Sequence, residues 1–285
     1  MLFLCRPEYK ERIWGSLSFE SLRDPVGEVW WLYRNEEGST SLLRLKGTGD
    51  SSLEALVNEG YLPDDPFWPV MIKTLHTSDR LSVQVHPGIR GGPFKEETWI
   101  VLKAEADSWM MGGVRTRSPK AFMQAMRDGR AEGMLNRVRL SPGDIYHIPP
   151  GTVHALGPGL EILEVQTNRD ITYRLYDWNR RSSDGSFRQL HMSEGMDSVN
   201  WNNSGRPLLW GRNGIVETGN TSARYSITAA QGRTEMPPGS VLFLTEGRIR
   251  GLEGVAAPAC LLCCRGNESL TLQGRGYLVD RKGEE

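Results

Sequence analysis

The chain has 285 residues, 38% hydrophobic and 24% charged, with a formal net charge of −1. That is enough to bury a proper core as one large domain or two small ones. It lacks the basic field that would draw nucleic acid or an anionic membrane, so an anionic substrate has to be caught by a local Lys or Arg cluster.

The N-terminus offers only Met1 to Leu4 before Cys5 and Arg6, far short of a signal-peptide core, and no apolar stretch approaches a membrane span. The cytoplasm is the default location. Thirty-two glycines and sixteen prolines punctuate many short apolar runs, which is the pattern of a mainly β chain. In chain order the spacing predicts strands at Val29 to Tyr33, Leu42 to Leu45, Leu81 to Val85, Thr98 to Leu102, Ile145 to Ile148, Leu160 to Gln166 and Ile171 to Tyr176. Later strands are expected at Ala223 to Ala229, Ser240 to Leu244, Ala259 to Cys264 and Gly276 to Asp280.

Two segments read as helical. Ser51 to Glu59 puts Leu53, Leu56 and Val57 on one face and stops at Gly60. Ser118 can cap a helix with Pro119 at its first position and Phe122, Met123 and Met126 turned inward. A short turn, Arg130 to Arg137, is expected after Gly129. Loop chemistry from Ser182 to Arg212, including Asn202 to Pro207, marks a boundary that divides the chain into domains 1–190 and 191–285. No histidine follows His191, so the chemistry belongs to the first part. Cys260 and Cys263 are expected to be buried strand residues, because no second pair completes a metal or redox motif and four cysteines make no disulfide scaffold.

The chemistry gathers in three places. In Leu81-Ser82-Val83-Gln84-Val85-His86-Pro87, strand alternation sets Ser82, Gln84 and His86 on one face. In Lys95-Glu96-Glu97-Thr98-Trp99, Lys95, Glu97 and Trp99 share a face, so Glu96 is expected to point away, toward solvent or an outer layer. The rigid Pro149-Pro150-Gly151 turn then delivers His154. Two imidazoles, a carboxylate and an amide oxygen suit Zn²⁺ with room for a substrate oxygen, and the same set suits Fe²⁺ or Mn²⁺. Arg174 shares a strand face with Thr172 and Tyr176; the plain alternative for it is an ion pair with Asp177 or Glu164. For Lys95 the plain alternative is a solvated hairpin charge. His76, His147 and His191 have no ligand-like context, and Trp30 and Trp31 read as barrel wall; Trp14 is the better candidate for stacking on a substrate.

These motifs, LSVQVHP, K-x-E-x-W, GDIYHIPPGTVHALG and EVQTNRDITYRLYDWNR, with KERIWG near the N-terminus, resemble type I mannose-6-phosphate isomerases in their short bacterial form, from about residue 8 to about 182. SPKAFMQAMRDGRAEGMLNRVRLSPGD resembles the family's small helical excursion. The sequence departs from the usual pattern at His76-Thr77 and at Asn168 to Ile171. The resemblance implies a cupin-like β-barrel (jelly roll) followed by a second, smaller cupin-like barrel. It implies one zinc per chain on Gln84, His86, Glu97 and His154, with Arg174 catalytic. The expected reaction interconverts mannose 6-phosphate and fructose 6-phosphate by zinc-assisted proton transfer through an enediol. Lys95 is placed to carry a proton or bind substrate, with Trp14 and Ser82 as further substrate contacts. The expected partner is a small sugar phosphate, with no nucleic acid or membrane, and the chain is expected as a monomer or homodimer. The competing classes are an iron-dependent cupin dioxygenase and a non-catalytic sugar-phosphate sensor.

Overall fold

A computed structural model describes residues 1–17, 24–65, 67–88, 94–182, 184–201, 208–212, 215–216 and 224–282. Expectations at Ser183, Asn202 to Pro207 and Ala223 lie outside the described residues.

Three antiparallel sheets form successive layers. A five-stranded sheet runs in the order Leu135–Arg139, Trp109–Val114, His154–Leu156, Val83–Val85, Tyr173–Tyr176. An eight-stranded sheet runs Ile215–Val216, Leu208–Arg212, Ile145–Ile148, Glu97–Ala104, Leu160–Gln166, Met71–Thr77, Glu8–Ser16, Val26–Leu32. A seven-stranded sheet runs Tyr225–Met236, Glu268–Arg281, Val241–Ile249, Ala259–Cys263, Leu2–Cys5, Ser41–Arg44, Asp50–Ser52.

The cores lie between these layers. Trp14, Leu75, Trp99, Met110, Leu156 and Ile162 fill the space between the five- and eight-stranded sheets, which face each other as the walls of a barrel. The opposite face of the eight-stranded sheet packs Trp31, Ile72, Ile100, Leu163 and Val165 on Tyr225, Ile227, Phe243 and Leu262 of the seven-stranded sheet. This explains why Val26–Leu32, Met71–Thr77, Ile145–Ile148 and Leu160–Gln166 are nearly unbroken buried runs, both faces being covered, whereas Glu8–Ser16 stays largely uncovered. Strands cross the expected division at residue 190. Leu2–Cys5, Ser41–Arg44 and Asp50–Ser52 complete the C-terminal sheet, and Leu208–Arg212 and Ile215–Val216 extend the eight-stranded one.

Helix Pro119–Arg127 starts at Ser118, whose side chain accepts from the Ala121 N–H, and it buries Phe122 and Met126 on the outside of the five-stranded sheet. The helix Leu53–Asn58 is capped by Ser52 and buries Leu53, Leu56 and Val57. The turn expected over Arg130 to Arg137 is a 3-10 turn only over Ala131–Met134. Leu135–Arg139 is a strand, drawn into the extended form by pairing with Trp109–Val114. All four cysteines are free and buried.

Candidate metal centre and active site

In Val83–Val85 the two apolar residues, both fully buried, face the layer under helix Pro119–Arg127. Gln84 therefore faces into the barrel, as alternation requires. The Gln84 Cα is paired with His154 on one side and with Arg174 on the other, so one cross-section of the five-stranded sheet carries all three side chains. Two turns fix the histidines. The Gly151 N–H donates to the His86 carbonyl at 2.9 Å. Gly88 packs so tightly on Pro150 that a Cβ there would come within 2.3 Å of it, and Gly151 takes a φ of +78° that a side chain would strain. Glu97 comes from the opposite wall, where Glu97–Ala104 lies between Ile145–Ile148 and Leu160–Gln166.

The three potential ligands converge and are buried. His86 Nε2 lies 3.0 Å from Glu97 Oε2 and His154 Nε2 lies 3.2 Å from Glu97 Oε1. All three ligand atoms fall within 4.8 Å of one another. Tetrahedral ligands at 2.0–2.1 Å from zinc stand about 3.3 Å apart, so the spacing fits such an ion. Each imidazole donates through Nδ1, His86 to the Ile171 carbonyl and His154 to the Thr152 carbonyl, both at 2.9 Å. That fixes both Nε2 lone pairs toward the centre. His86 Nε2 and Glu97 Oε1 are buried with no hydrogen-bond partner, which is costly unless a ligand satisfies them. The Gln84 amide lies 3.2 Å from His154 Nε2, and half a turn of that amide brings its oxygen to the centre. Burial, aided by the Lys95 charge, pushes the His86 imidazole down to about 4, leaving it neutral and able to ligate. Burial alone would raise Glu97; His86 and Lys95 outweigh it and keep the carboxylate ionised.

Around this centre is a cavity of about 380 Å³ lined by, among others, Trp14, Ser82, Gln84, Lys95, Glu97 and Arg174. All the expected site residues except the two buried histidines thus line it, and both histidines meet Glu97 of that lining. Lys95 is buried, not a solvated hairpin charge, with Nζ 3.4 Å from Glu97 and 3.9 Å from Asp170. Arg174 makes no ion pair among the described residues, because Asp177 is taken by Arg180 at 2.9 Å and Arg188 at 2.6 Å. Its NH1 donates to the Gln189 carbonyl at 2.8 Å, while its Nε is buried without a partner. Tyr176 departs from the expected face. The register shifts between Arg174 and Tyr176, turning Tyr176 into the layer under the helices while Thr172 and Arg174 stay on the cavity. Trp30 is fully buried with its N–H donated to Glu28, and Trp31 lies between the sheets.

Glu96 points away from the centre, yet it is buried under the C-terminal sheet instead of reaching solvent. It accepts from the Arg224 N–H at 2.8 Å, and burial pushes it up to about 7. The cavity also holds charges that sequence patterning did not place there: Arg12, Glu28, Lys73, Glu164, Asp170 and Arg188. Lys73 and Glu164 form a buried pair at 3.0 Å, and Glu28 completes it at 4.0 Å from Lys73. Burial and the Glu97 charge raise Glu164, whereas Lys73 is raised because Glu164 and Glu28 outweigh its burial.

Burial alone would raise Glu28 as well, but Lys73 and Arg12, with hydrogen bonds from Trp30 and Arg12, hold it at about 2 against an unfolded value of 4.5. Its stabilising contribution is therefore complete above pH 4.5 and is lost as pH falls toward about 2. Urea midpoints should fall faster from about pH 5 to about pH 3 in the wild type than in Glu28→Gln, reporting that depressed carboxylate. Parallel slopes would show that Glu28 is not held ionised by this network.

No family model matches the chain. The chain is 32% identical over 217 residues to the probable mannose-6-phosphate isomerase GmuF of Bacillus subtilis (strain 168), covering 70% of this chain and 68% of that protein. In fold it matches the crystal structure of the mannose 6-phosphate isomerase from Bacillus subtilis with a TM-score of 0.81 at 24% identity, over 99% of each chain. It matches a zinc-bound, holo mannose 6-phosphate isomerase with a TM-score of 0.70 at 16% identity, over 99% of this chain and 100% of that one. No helix among the described residues is long and apolar enough to cross a membrane.

Proposed function

The chain belongs to the mannose-6-phosphate isomerase family, and on that footing we propose that it interconverts mannose 6-phosphate and fructose 6-phosphate, with one zinc held by His86, Glu97, His154 and Gln84. The observation that carries this reading is the convergence of His86 and His154 on Glu97, which lines one cavity with Lys95 and Arg174. A cavity of about 380 Å³ lies within the usual range for small-molecule sites.

Isomerisation moves a proton between C1 and C2 of the open-chain sugar, and negative charge develops on the carbonyl oxygen as the enediolate forms. Bound zinc supplies Lewis-acid stabilisation of that oxygen. Arg174 adds a fixed, permanently charged donor whose buried Nε is free to serve the same charge. Lys95, beside both Glu97 and Asp170, is the group we assign to substrate binding and proton movement at the sugar carbons or hydroxyls. Trp14 and Ser82 line the cavity as further substrate contacts. Arg188, held by Asp177 in the same lining as Arg174, adds a second guanidinium suited to a phosphate.

The test is a coupled assay of fructose 6-phosphate formation from mannose 6-phosphate, with metal analysis of the same sample. The wild type should hold about one zinc per chain and turn over the sugar. His86→Ala and His154→Ala should each lose the metal and the activity together. Full zinc content in both variants would show the site to be misassigned. A zinc-loaded wild type without turnover would favour the sensor.

A further inference from the structure

We propose that Tyr225, in the C-terminal sheet, is a positioning residue for the metal carboxylate Glu97, so that this sheet sets metal affinity from behind the barrel wall. This rests on the reading of Glu97 as a metal ligand.

The three ligands are not held alike. His86 and His154 are each oriented by a backbone carbonyl that accepts from Nδ1. Glu97 has no such support: among the described residues its carboxylate meets the two imidazoles and Lys95, and Oε1 has no hydrogen-bond partner. Its direction must therefore come from the strand that carries it. A strand's inward residue is aimed by the rotation of the strand about its own axis, and the outward residues on either side govern that rotation.

Both outward neighbours of Glu97 are gripped by the C-terminal sheet at its edge strand. Glu96 Oε1 accepts from the Arg224 N–H at 2.8 Å. Thr98 Oγ1 lies 3.0 Å from the Tyr225 hydroxyl and 3.1 Å from His147 Nδ1. The Tyr225 hydroxyl donates to the Val165 carbonyl at 2.8 Å. With its one proton committed there, it is left to accept from the Thr98 hydroxyl. Burial pushes His147 down to about 3, so it is neutral and carries one N–H. The contacts run from His147 through Thr98 and Tyr225 to Val165. They tie together Ile145–Ile148, Glu97–Ala104 and Leu160–Gln166, the central strand and both of its partners. Tyr225 is fully buried among residues of both sheets, so its ring is fixed by packing and its hydroxyl by two bonds.

Zinc affinity of the full chain, measured by chelator competition, tests this, together with the visible spectrum of the cobalt-substituted protein and the melting temperature of the metal-free protein. Tyr225→Phe keeps the ring and removes the clasp. It should weaken zinc binding by about tenfold, the scale seen when outer partners of metal ligands are removed, and alter the cobalt spectrum. Thr98→Val should do the same, and the double variant should be no worse than either single one. Ile227→Val trims the same interface without touching these contacts, and it should lower the melting temperature while leaving zinc affinity unchanged. Wild-type zinc affinity in Tyr225→Phe, or an equal loss in Ile227→Val, would overturn the inference while leaving the metal site intact. A wild-type chain that takes up no zinc would overturn both.

Discussion

Glu97→Gln should lose most of its zinc and nearly all isomerase activity, whereas Glu96→Gln should keep the metal and turn over. The two glutamates are neighbours with opposite surroundings. Glu97 stands between His86 and His154 at 3.0 and 3.2 Å with its charge enforced by its neighbours. Replacing it removes a metal bond and the anion that balances a dication in a buried site. Glu96 turns to the other side of the strand, accepts one backbone N–H, and is pushed by burial up to about 7. A glutamine there keeps an acceptor oxygen and gives up a charge that the site barely sustains at neutral pH. The measurement is zinc content and kcat of both variants side by side. Zinc retained by Glu97→Gln and lost from Glu96→Gln would mean that the strand's faces are reversed at this point.

Arg174→Lys should lower kcat by about a hundredfold or more with the fold and zinc content intact. One well-placed donor to a developing oxyanion is worth roughly 2.7–4 kcal/mol of barrier. The guanidinium is anchored through NH1 on the Gln189 carbonyl while Nε remains available inside the site. Lysine keeps the charge but has no second nitrogen with which to anchor and donate at once. Neighbouring Arg188 is committed to Asp177 and cannot take over without breaking that pair. A variant with near-normal kcat and a raised KM would place Arg174 in ground-state binding of the substrate instead.

The inward faces of Gln84 and Glu97 were legible because short strands carry a period of two. Along Val83–Val85 the structure keeps the expected separation, with Val83 and Val85 buried on one side and Gln84 on the other, whereas Leu81, ahead of the strand, leaves the expected apolar face and lines the cavity beside Ser82. The Ser118 cap with Pro119 behind it is local chemistry and is found as expected. Where a second layer covers a strand, the period disappears. Met71–Thr77 was not expected as a strand: Ile72 and Thr74 face the C-terminal sheet while Lys73 and Leu75 face the cavity, so no apolar alternation marks it. Lys73 went unseen with it, and so did its pairing with Glu164.

By itself, then, the sequence determined the mainly β character and the inward faces of Gln84 and Glu97, because these depend on residues one or two apart. Tertiary structure decided everything that depends on a contact across the chain. It turned Tyr176 off the cavity through a register shift against Val83–Val85. It buried Glu96 under Arg224, 128 residues away, and it brought N-terminal strands into the C-terminal sheet. A residue's spacing sets which way it faces, but only the layer packed opposite decides whether that direction leads to water, to a metal or to another sheet.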